Sequence, residues 1–505
     1  MTQGPDFMQK IVSLCKRRGF VFQSSEIYGG LRSAYDYGPL GVELKRNLMG
    51  EWWRSMVHER EDVVGIDASI IMHSKVWEAS GHLAGFSDPL VDCKNCKERF
   101  RADKAPRVKP GSEVEYLEGG KKKGKPLKRI ADRSYVCPQC GGSDLSEERQ
   151  FNLMFRTQLG PVDALGDIAA FVAANRDSSG ADLVSGIESI IKDSAVYLRP
   201  ETAQAMFVQF ANVQQTTSAK VPFGIAQMGK SFRNEVTTEH FIFRSCEFEQ
   251  MEMEYFVEPG TQGEWLEYWR QMRLDWWRKF ANRPDDFRAR AHEADELAHY
   301  ADACYDIEYA YPWDWDELEG IASRTNYDLG KHELHSGQKL SYFDQQKQDP
   351  QTGKNGWRYL PYVIEPAAGA TRGVLVYLID AYCEEAVPDA KGNESTRTVL
   401  KLHPRLAPIK AAVLPLVKKD GMPEMARDLV QRFSQAGINA RYDEQHAIGK
   451  RYRRHDEAGT PYCLTIDGDS LNDNQVTIRD RDTMLQERVP CDRALEVIRE
   501  RLMRD

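Results

Sequence analysis

Residues 224–235 are Gly-Ile-Ala-Gln-Met-Gly-Lys-Ser-Phe-Arg-Asn-Glu and contain the pattern GxxxxGKS, which is typical of a phosphate-binding P-loop. A P-loop must follow a buried strand and open a helix, because its backbone N–H groups and the helix dipole bind phosphates. Here Val236, Thr237 and Thr238 disfavour a helix, and from Cys246 onward the residues alternate as in a strand. The sequence therefore predicts a strand, a loop and a returning strand rather than a P-loop.

The returning strand has two different faces, because side chains of a strand alternate. One face carries an aromatic ring, an amide and carboxylates, and the other carries a carboxylate, two methionines and a tyrosine: Phe248, Gln250, Glu252 and Glu254 against Glu249, Met251, Met253 and Tyr255. The first face is costly to bury without partners, which a cationic or hydrogen-bonding ligand would supply. Glu249 and Glu254 are predicted to be solvated charges of the sheet and are left out of the site.

The length of 505 residues is too great for one hydrophobic core and predicts roughly two to four domains. The N-terminal segment lacks an apolar core followed by a cleavage site, and no stretch approaches the ~18 apolar residues of a membrane helix. We therefore expect a soluble cytoplasmic protein. The net charge of −9 argues against a general nucleic-acid coat, although residues 404–505 are near neutral, with 18 Lys and Arg against 17 Asp and Glu.

The hydrophobic pattern changes after His403-Pro404. Residues 425–437 have the pattern of a helix, and four segments have the pattern of strands: 411–417, 438–444, 462–468 and 476–482. Strands that alternate with helices over about 100 residues predict a compact α/β domain. Further upstream, residues 44–57 predict an amphipathic helix. Trp269, Met272, Trp276 and Phe280 predict the core-facing stripe of a long helix.

Two CxxC pairs, separated by 40 residues, supply four thiolates: Cys93, Cys96, Cys137 and Cys140. Four thiolates can surround one tetrahedral Zn²⁺ and leave no open position for catalysis, so the pattern predicts a structural zinc site. The alternative is a zinc knuckle that has lost its metal. Lys121–Lys125 between the pairs predict a solvated basic hairpin tip, with contact to nucleic-acid phosphates as the alternative.

Several segments together resemble the class II aminoacyl-tRNA synthetases. FRNE (232–235) with RSCEFEQMEME (244–254) resembles motif 2, an antiparallel strand–loop–strand, and GATRGVLVYLIDAY (369–382) resembles motif 3. DYGPLGVELKRNLMGEWW (36–53) resembles motif 1, with Pro39 at the dimer interface. The family within this class that the chain resembles, over nearly its whole length, is the glycyl-tRNA synthetases of the homodimeric type. The segments that indicate this family are residues 77–93, 151–161, 198–207, 317–329, 363–373, 403–416, 448–463 and 477–482.

The resemblance implies an α+β fold: a class II antiparallel-sheet catalytic domain, a zinc-ribbon-like insertion and a C-terminal α/β anticodon-binding domain. The implied boundaries are 1–403 for the catalytic domain, 91–148 for the zinc insertion, 257–312 for a helical insertion and 404–505 for the anticodon domain. The implied reaction activates glycine with ATP and Mg²⁺ to glycyl-adenylate and then transfers glycine to the 3′ end of tRNA-Gly. A non-catalytic, synthetase-like tRNA-binding or regulatory protein is the alternative, but it would be expected to lose the phosphate-binding arginines or the pocket acids.

The resemblance also implies the site residues. Arg233 and Arg372 are the implied catalytic residues, which hold the α- and γ-phosphates. The implied ATP contacts are Arg233, Asn234, Glu235, Phe243, Arg244, Phe248, Glu317, Leu318, Gly369 and Arg372, of which Glu317 is the candidate Mg²⁺ ligand. The implied glycine contacts are Arg101, Glu201, Phe248, Gln250, Glu252, Arg324, Glu365 and Gly369.

Some of these residues have alternative interpretations. Glu201 fits an acid at a helix N-terminus, Arg324 fits a surface ion pair, and His82 fits a structural histidine as well as the active-site wall. Ala367 replaces a serine that is common in the family, so a hydroxyl contact to glycine is absent. Lys450, Arg451, Arg453 and Arg454 are the implied tRNA contacts, and their alternative is a charged loop paired with Asp456 and Glu457.

Overall fold

The computed structural model describes residues 6–31, 33–118, 126–159, 164–235, 240–388 and 394–503. The predicted basic tip at 121–125 and the loop residues 236–239 lie outside them. The chain begins with α1 (Asp6–Arg18), β1 (Val21–Gln23), β2 (Tyr35–Tyr37), α2 (Pro39–Trp53), β3 (Val63–Gly65), β4 (Ile71–Met72), α3 (Ser74–Ala79) and α4 (His82–Gly85). There follow β5 (Ser87–Asp92), β6 (Arg99–Arg101), β7 (Glu113–Leu117), β8 (Pro126–Ile130), β9 (Arg149–Asn152), β10 (Arg156–Gln158), α5 (Ala164–Ala174), α6 (Gly180–Ser194) and β11 (Ala195–Leu198).

The middle of the chain contains α7 (Ala203–Val208), α8 (Phe210–Thr217), β12 (Phe223–Phe232), β13 (Glu247–Val257), α9 (Gln262–Lys279), β14 (Phe287–Ala291), β15 (Ala303–Ala310), β16 (Trp315–Thr325), α10 (Tyr327–Ser336), β17 (Tyr342–Gln348), β18 (Asn355–Tyr359), β19 (Tyr362–Gly369), α11 (Ala370–Ala381) and β20 (Tyr382–Pro388). The last part contains β21 (Glu394–Leu400), β22 (Ala411–Pro415), α12 (Met422–Gln435), β23 (Ala440–Tyr442), α13 (Ile448–Glu457), β24 (Tyr462–Ile466), α14 (Ser470–Asp473), β25 (Gln475–Asp480), β26 (Gln486–Pro490) and α15 (Ala494–Met503).

The largest sheet in the described residues has the strand order β14-β15-β16-β19-β13-β12-β3, and its pairs are antiparallel except β12 with β3. β12 and β13 pair without interruption from Phe223 opposite Phe256 to Phe232 opposite Glu247. Lys230 therefore lies inside a strand and does not open a helix. The predicted strand–loop–strand is confirmed, and the P-loop pattern has no phosphate-binding geometry.

Helices α9 and α11 cover one face of this sheet. The stripe predicted on α9 is in the core, where Trp269 and Phe280 are buried. The neighbouring Trp277 stacks on Tyr377 of α11, with ring centroids 5.9 Å apart. Met251, Met253 and Tyr255 on β13 belong to the same hydrophobic cluster. The apolar face of β13 thus packs on the helices, which leaves its polar face for the other side of the sheet.

The interpretation of Glu249 and Glu254 as solvated charges is wrong. Glu254 is 0% exposed, because β13 lies inside the sheet and α7 packs against it. Glu249 is half-buried and forms an ion pair with Lys45 of α2. Alternation gives the face of a side chain but not how deeply that face is covered.

Residues 411–498 form a separate core around a five-stranded sheet of order β23-β22-β24-β25-β26. β22 is parallel to β23 and β24, whereas β25 and β26 complete the sheet in antiparallel pairs. α12 and the strands β22 to β25 lie where the sequence predicts them, whereas β26 was not predicted. Ion pairs join this part to the rest: Arg17 and Arg18 contact Glu457, and Arg405 contacts Glu51.

Residues 257–312 contain α9 and the strands β14 and β15, and both strands belong to the main sheet. None of the described helices is long and apolar enough to cross a membrane.

Candidate active site

A cavity of about 320 Å³ opens on the polar face of the main sheet, opposite α9 and α11. Strands β13, β15, β16 and β19 and the first turn of α11 supply most of its lining. Most of the predicted site residues meet there: Glu201, Arg233, Glu235, Phe243, Arg244, Phe248, Gln250, Glu252, Glu317, Arg324, Glu365, Gly369 and Arg372. The cavity thus joins residues from distant parts of the chain.

One end of the cavity is cationic. Arg233 follows β12, and its guanidinium lies 5.4 Å from the ring centroids of both Phe86 and Phe248. Arg372, in the first turn of α11, lies 4.5 Å from the ring of Phe243 and 3.0 Å from a carboxyl oxygen of Glu317. Aromatic rings and a carboxylate hold both planar guanidinium groups in fixed orientations, as required for gripping phosphate oxygens.

The other end of the cavity is acidic and buried. Glu201, Glu252 and Glu365 come from the turn before α7, from β13 and from β19. Glu252 and Glu365 are 2% and 7% exposed, and the hydroxyl of Thr202 donates a hydrogen bond to Glu252. A cluster of carboxylates with so little solvent is an attractive site for an ammonium group.

The surroundings of these three acids shift their pKa values in different directions. Burial, then the charges of Glu365 and Glu201, raise the pKa of Glu252 to about 8. Burial also raises the pKa of Glu365. Burial alone would raise the pKa of Glu201, but His82, Arg324 and other hydrogen bonds outweigh it and hold that pKa far below its ordinary value.

His82 and Arg324 are both held inside the protein at the acidic end. Nε2 of His82 lies 3.3 Å from Glu201, and its Nδ1 lies 2.8 Å from the hydroxyl of Ser80. Arg324 is 2% exposed, which excludes the surface ion pair considered for it. Its guanidinium donates to Glu365 at 2.6 Å and to both carboxyl oxygens of Asp328 at 2.8 and 3.0 Å.

Three predicted contacts do not line the cavity. Arg101, on β6, pairs with Asp88 at 2.9 Å and with Asp103 at 2.7 Å. Leu318 is 1% exposed and belongs to the hydrophobic core. The backbone N–H of Asn234 donates to the carbonyl of Leu153 rather than into the cavity. In this conformation these residues act on the cavity only through their neighbours.

Four lining residues between the end of β14 and the middle of β15 were not among the predicted site residues: His292, Tyr300, Cys304 and Asp306. Asp306 lies opposite Gly320 of β16, two strand positions from the pair between Glu308 and Glu317. Burial and the charge of Glu317 raise the pKa of Asp306. The alternation in Ala-Cys-Tyr-Asp-Ile-Glu-Tyr was the available signal, but only the pairing with β16 shows which face meets the cavity.

The four cysteines of the CxxC pairs come together as predicted. Their Sγ atoms all lie within 4.8 Å of one another, with 3.6 Å between Cys93 and Cys140 and 3.5 Å between Cys96 and Cys137. Thiolates around a tetrahedral Zn²⁺ are separated by about 3.8 Å, given Zn–S bonds of ~2.3 Å. The donor set and its spacing therefore fit a four-thiolate metal site.

The predicted tRNA contacts lie on the helix α13 and not on a loop. Lys450 is exposed, and Arg453 and Arg454 are half-buried. Arg451 is 2% exposed, and its guanidinium donates to the backbone carbonyls of Pro415, Leu416 and Asp443. Its inclusion as a phosphate contact is wrong, because it joins α13 to the sheet from inside.

The alternative of local pairing with the two following acids also fails. Asp456 pairs with Arg479 at 2.9 Å and with Arg397 at 3.2 Å, and both of these arginines are buried. Glu457 pairs with Arg17 and Arg18 of α1.

Comparison with known proteins agrees with this architecture. Residues 410–501 match the family described as "Anticodon binding domain". With such a domain after it, the antiparallel sheet and its charged cavity are those of an aminoacyl-tRNA synthetase.

Close relatives define the chain further. It is 49% identical over 483 residues to the glycine–tRNA ligase of Treponema denticola, and these residues make up 96% of this chain and 94% of the relative. It is 48% identical over 506 residues to that of Cutibacterium acnes, with 98% and 96% covered. It is 49% identical over 502 residues to that of Streptomyces coelicolor, with 99% of both chains covered. The chain belongs to the glycine–tRNA ligase family.

Proposed function

We propose that this chain is an active glycine–tRNA ligase, which forms glycyl-adenylate from glycine and ATP and then transfers glycine to the 3′ end of tRNA-Gly. The observation that carries this proposal is the single cavity with two fixed guanidinium groups at one end and three buried carboxylates at the other. The first end suits the phosphates of ATP, and the second suits the ammonium group of an amino acid. The cytoplasm is the proposed location.

The first step needs charge stabilisation and alignment rather than a protein nucleophile. The carboxylate of glycine attacks the α-phosphorus of ATP, the bond to the β-phosphate oxygen breaks, and pyrophosphate leaves. Arg233 grips the α-phosphate while negative charge builds there, and Arg372 holds the γ-phosphate. Phe248 stacks on the adenine ring, and Glu235 accepts from its amino group.

Mg²⁺ would be held by Glu317 and Asp306, which line the cavity from neighbouring strands. Two carboxylates near phosphates are a suitable donor set for this hard cation. When bound, it would neutralise charge on the phosphate oxygens.

Glycine has no side chain to recognise, so selection rests on its ammonium group and on filled space. Glu201, Glu252 and Glu365 are the proposed ammonium partners. Larger amino acids are excluded because a side chain would meet the packed wall of the sheet, and a steric wall discriminates strongly. Ala367 lines the cavity where relatives of this kind often carry serine, so neighbouring groups complete the pocket without that hydroxyl.

Four structural assignments belong to the same proposal. The thiolates of Cys93, Cys96, Cys137 and Cys140 would hold one structural Zn²⁺ in an insertion at 91–148. The catalytic domain would span 1–403, with residues 257–312 supplying α9 and two strands of its main sheet rather than a helical insertion, and the anticodon domain 404–505. The protein would be a homodimer through the region of Pro39, and Lys450, Arg453 and Arg454 on α13 would contact tRNA phosphates.

Amino-acid-dependent exchange of pyrophosphate into ATP tests the function. We expect exchange with glycine and none with alanine, serine or threonine, because only glycine fits the pocket. Exchange driven by another amino acid would refute the substrate assignment. Absence of exchange with every amino acid would favour the non-catalytic alternative, which the retention of both arginines and all three acids speaks against.

A further inference from the structure

The carboxyl group of Glu254 lies behind the wall of the cavity and has no role in the reaction described above. Its side chain is 0% exposed and does not belong to the cavity lining. Among the described residues, no donor group forms a hydrogen bond to either of its carboxyl oxygens. A carboxylate ion in this position would be a buried charge without compensation, which is strongly destabilising.

Glu254 is directly opposite another acid of the cavity. The register of β13 and β19 pairs Glu252 with Ala367 and Tyr255 with Ile364, which sets Glu254 against Glu365. One carboxyl oxygen from each of Glu252, Glu254 and Glu365 lies within 4.8 Å of the other two. Like charges on opposed strands repel, so these three groups do not all remain ionised.

The nearby cation makes no hydrogen bond to Glu254. The hydrogen bonds of Arg324 go to Asp328 and to Glu365, with Glu365 at 2.6 Å. Glu365 therefore accepts one strong hydrogen bond from Arg324 of β16. On its other side it faces Glu254 of β13. The charged groups around Glu254 are Glu365, Arg324, Glu252 and Asp328, and three of these four are acids.

We propose that Glu254 is a positioning residue that remains protonated and donates its hydrogen to the carboxylate of Glu365, which keeps Glu365 ionised and turned toward the ammonium group of glycine. This inference rests on the proposed function of the cavity. Burial, then the charge of Glu365, raise the pKa of Glu254 well above its ordinary value, in agreement with a neutral carboxyl group. Glu365 is then held from both sides, by Arg324 and by Glu254.

Substitutions that separate hydrogen bonding from charge test this role in glycine-dependent exchange. Glu254→Gln keeps a neutral donor, so we expect its KM for glycine to stay within about threefold of the wild type. Glu254→Leu removes the donor, and we expect its KM for glycine to rise at least about tenfold, with the KM for ATP unchanged. Glu252→Gln, which removes an ammonium partner, is the reference for loss of a charge.

Two kinetic outcomes would overturn the proposal. If Glu254→Gln raised the KM for glycine as much as Glu252→Gln, the charge of Glu254 would be in use. If Glu254→Gln and Glu254→Leu gave equal KM values for glycine, a hydrogen bond from this position would not contribute to glycine binding. Thermal unfolding of each variant separates these results from a loss of folding.

Infrared spectroscopy gives a readout that does not depend on activity. At about pH 9, above the pKa of Glu252, we expect the wild type to keep the carbonyl band of a protonated carboxylic acid. Glu254→Gln should lack this band, and Glu252→Gln should retain it. A wild-type spectrum without the band refutes the protonated Glu254, whereas wild-type protein that keeps the band but shows no glycine-dependent exchange refutes the proposed function alone.

Discussion

Glu201 and Glu252 share one cavity but are held in opposite protonation states. Glu252 is buried among acids, and its pKa rises to about 8. Glu201 lies beside His82 and near Arg324, which hold its pKa far below its ordinary value. Near neutral pH the empty site thus presents one firmly ionised carboxylate and one that gains its charge only when a cation arrives.

This difference predicts a pH dependence of glycine binding. An ammonium group favours the ionised form of Glu252, so glycine binding releases a proton below pH 8, and a higher pH helps binding. We expect the KM for glycine in the exchange reaction to fall as the pH rises from about 6.5 to about 8.5. The KM for ATP serves as the control, because the phosphates bind at the other end of the cavity.

Glu252→Gln checks the assignment of this titration. The variant should bind glycine more weakly and should lose most of the pH dependence in that range. Two results would contradict the role given to Glu252. One is a wild-type KM for glycine that is constant or rises with pH, and the other is a KM for glycine that depends on pH as strongly in the variant as in the wild type.

At the scale of elements, β13 determines both the core and the site. Its odd residues, such as Met251 and Met253, pack under α9 and α11, and its even residues Glu252 and Glu254 turn to the other side. The sequence predicts this strand, its partner β12 and the α/β order after residue 404, because period and turn residues are local signals. It does not predict that β19, more than 100 residues away, pairs beside β13, or that α7 packs against the strand.

The same limit explains the remaining site residues. Arg451 follows the basic pattern of α13, but only the packing of that helix shows that its guanidinium points inward. Asp306 was missed because its face is set by pairing with β16. Local pattern identifies which residues carry charge, and long-range packing decides which of them meet a ligand.

The cluster of Cys93, Cys96, Cys137 and Cys140 gives a prediction about metal. Zinc bound by four thiolates contributes directly to the stability of a small unit. We expect about one zinc per chain in protein purified without chelators. Cys137→Ser should remove most of this zinc and lower the melting temperature, as measured by elemental analysis and thermal unfolding.

Cys383→Ser is the matched control, because Cys383 lies on β20, outside the four-cysteine cluster. It should keep the zinc and the melting temperature of the wild type. Metal-free wild-type protein, or equal loss of zinc in both variants, would contradict the assignment.

At the scale of the whole molecule, the two ends of α13 have different surroundings. Lys450 at its start is exposed, whereas Glu457 at its end pairs with Arg17 and Arg18 of α1. Arg405 adds a second link through Glu51 of α2. The helix is therefore anchored to the catalytic part at one end and open to a polyanion at the other.

Charge reversal on α13 tests this arrangement. The double substitution Lys450→Glu and Arg453→Glu should lower kcat/KM for tRNA in aminoacylation by at least about tenfold, because two phosphate contacts become repulsive. The loss should shrink as salt is added. Exchange in the absence of tRNA should not change, since it requires only the cavity.

The control reverses two exposed arginines, one just before α15 and one on it, Arg493→Glu and Arg499→Glu, with the same change in net charge. It should leave aminoacylation near the wild-type value. Equal loss in both double variants would mean that total charge, rather than a contact of α13, controls binding.

The acidic end of the cavity also limits how this enzyme can evolve. Glu365 and Arg324 are structural parts of neighbouring strands, and they compensate each other's charge in a place without solvent. A substitution that widens the pocket for a larger amino acid would leave a charge uncompensated, and breaking such a buried pair costs about 3–5 kcal/mol. Broader substrate use is therefore coupled to loss of the fold. Selection for it, in nature or in the laboratory, has to change acid and arginine together rather than one at a time.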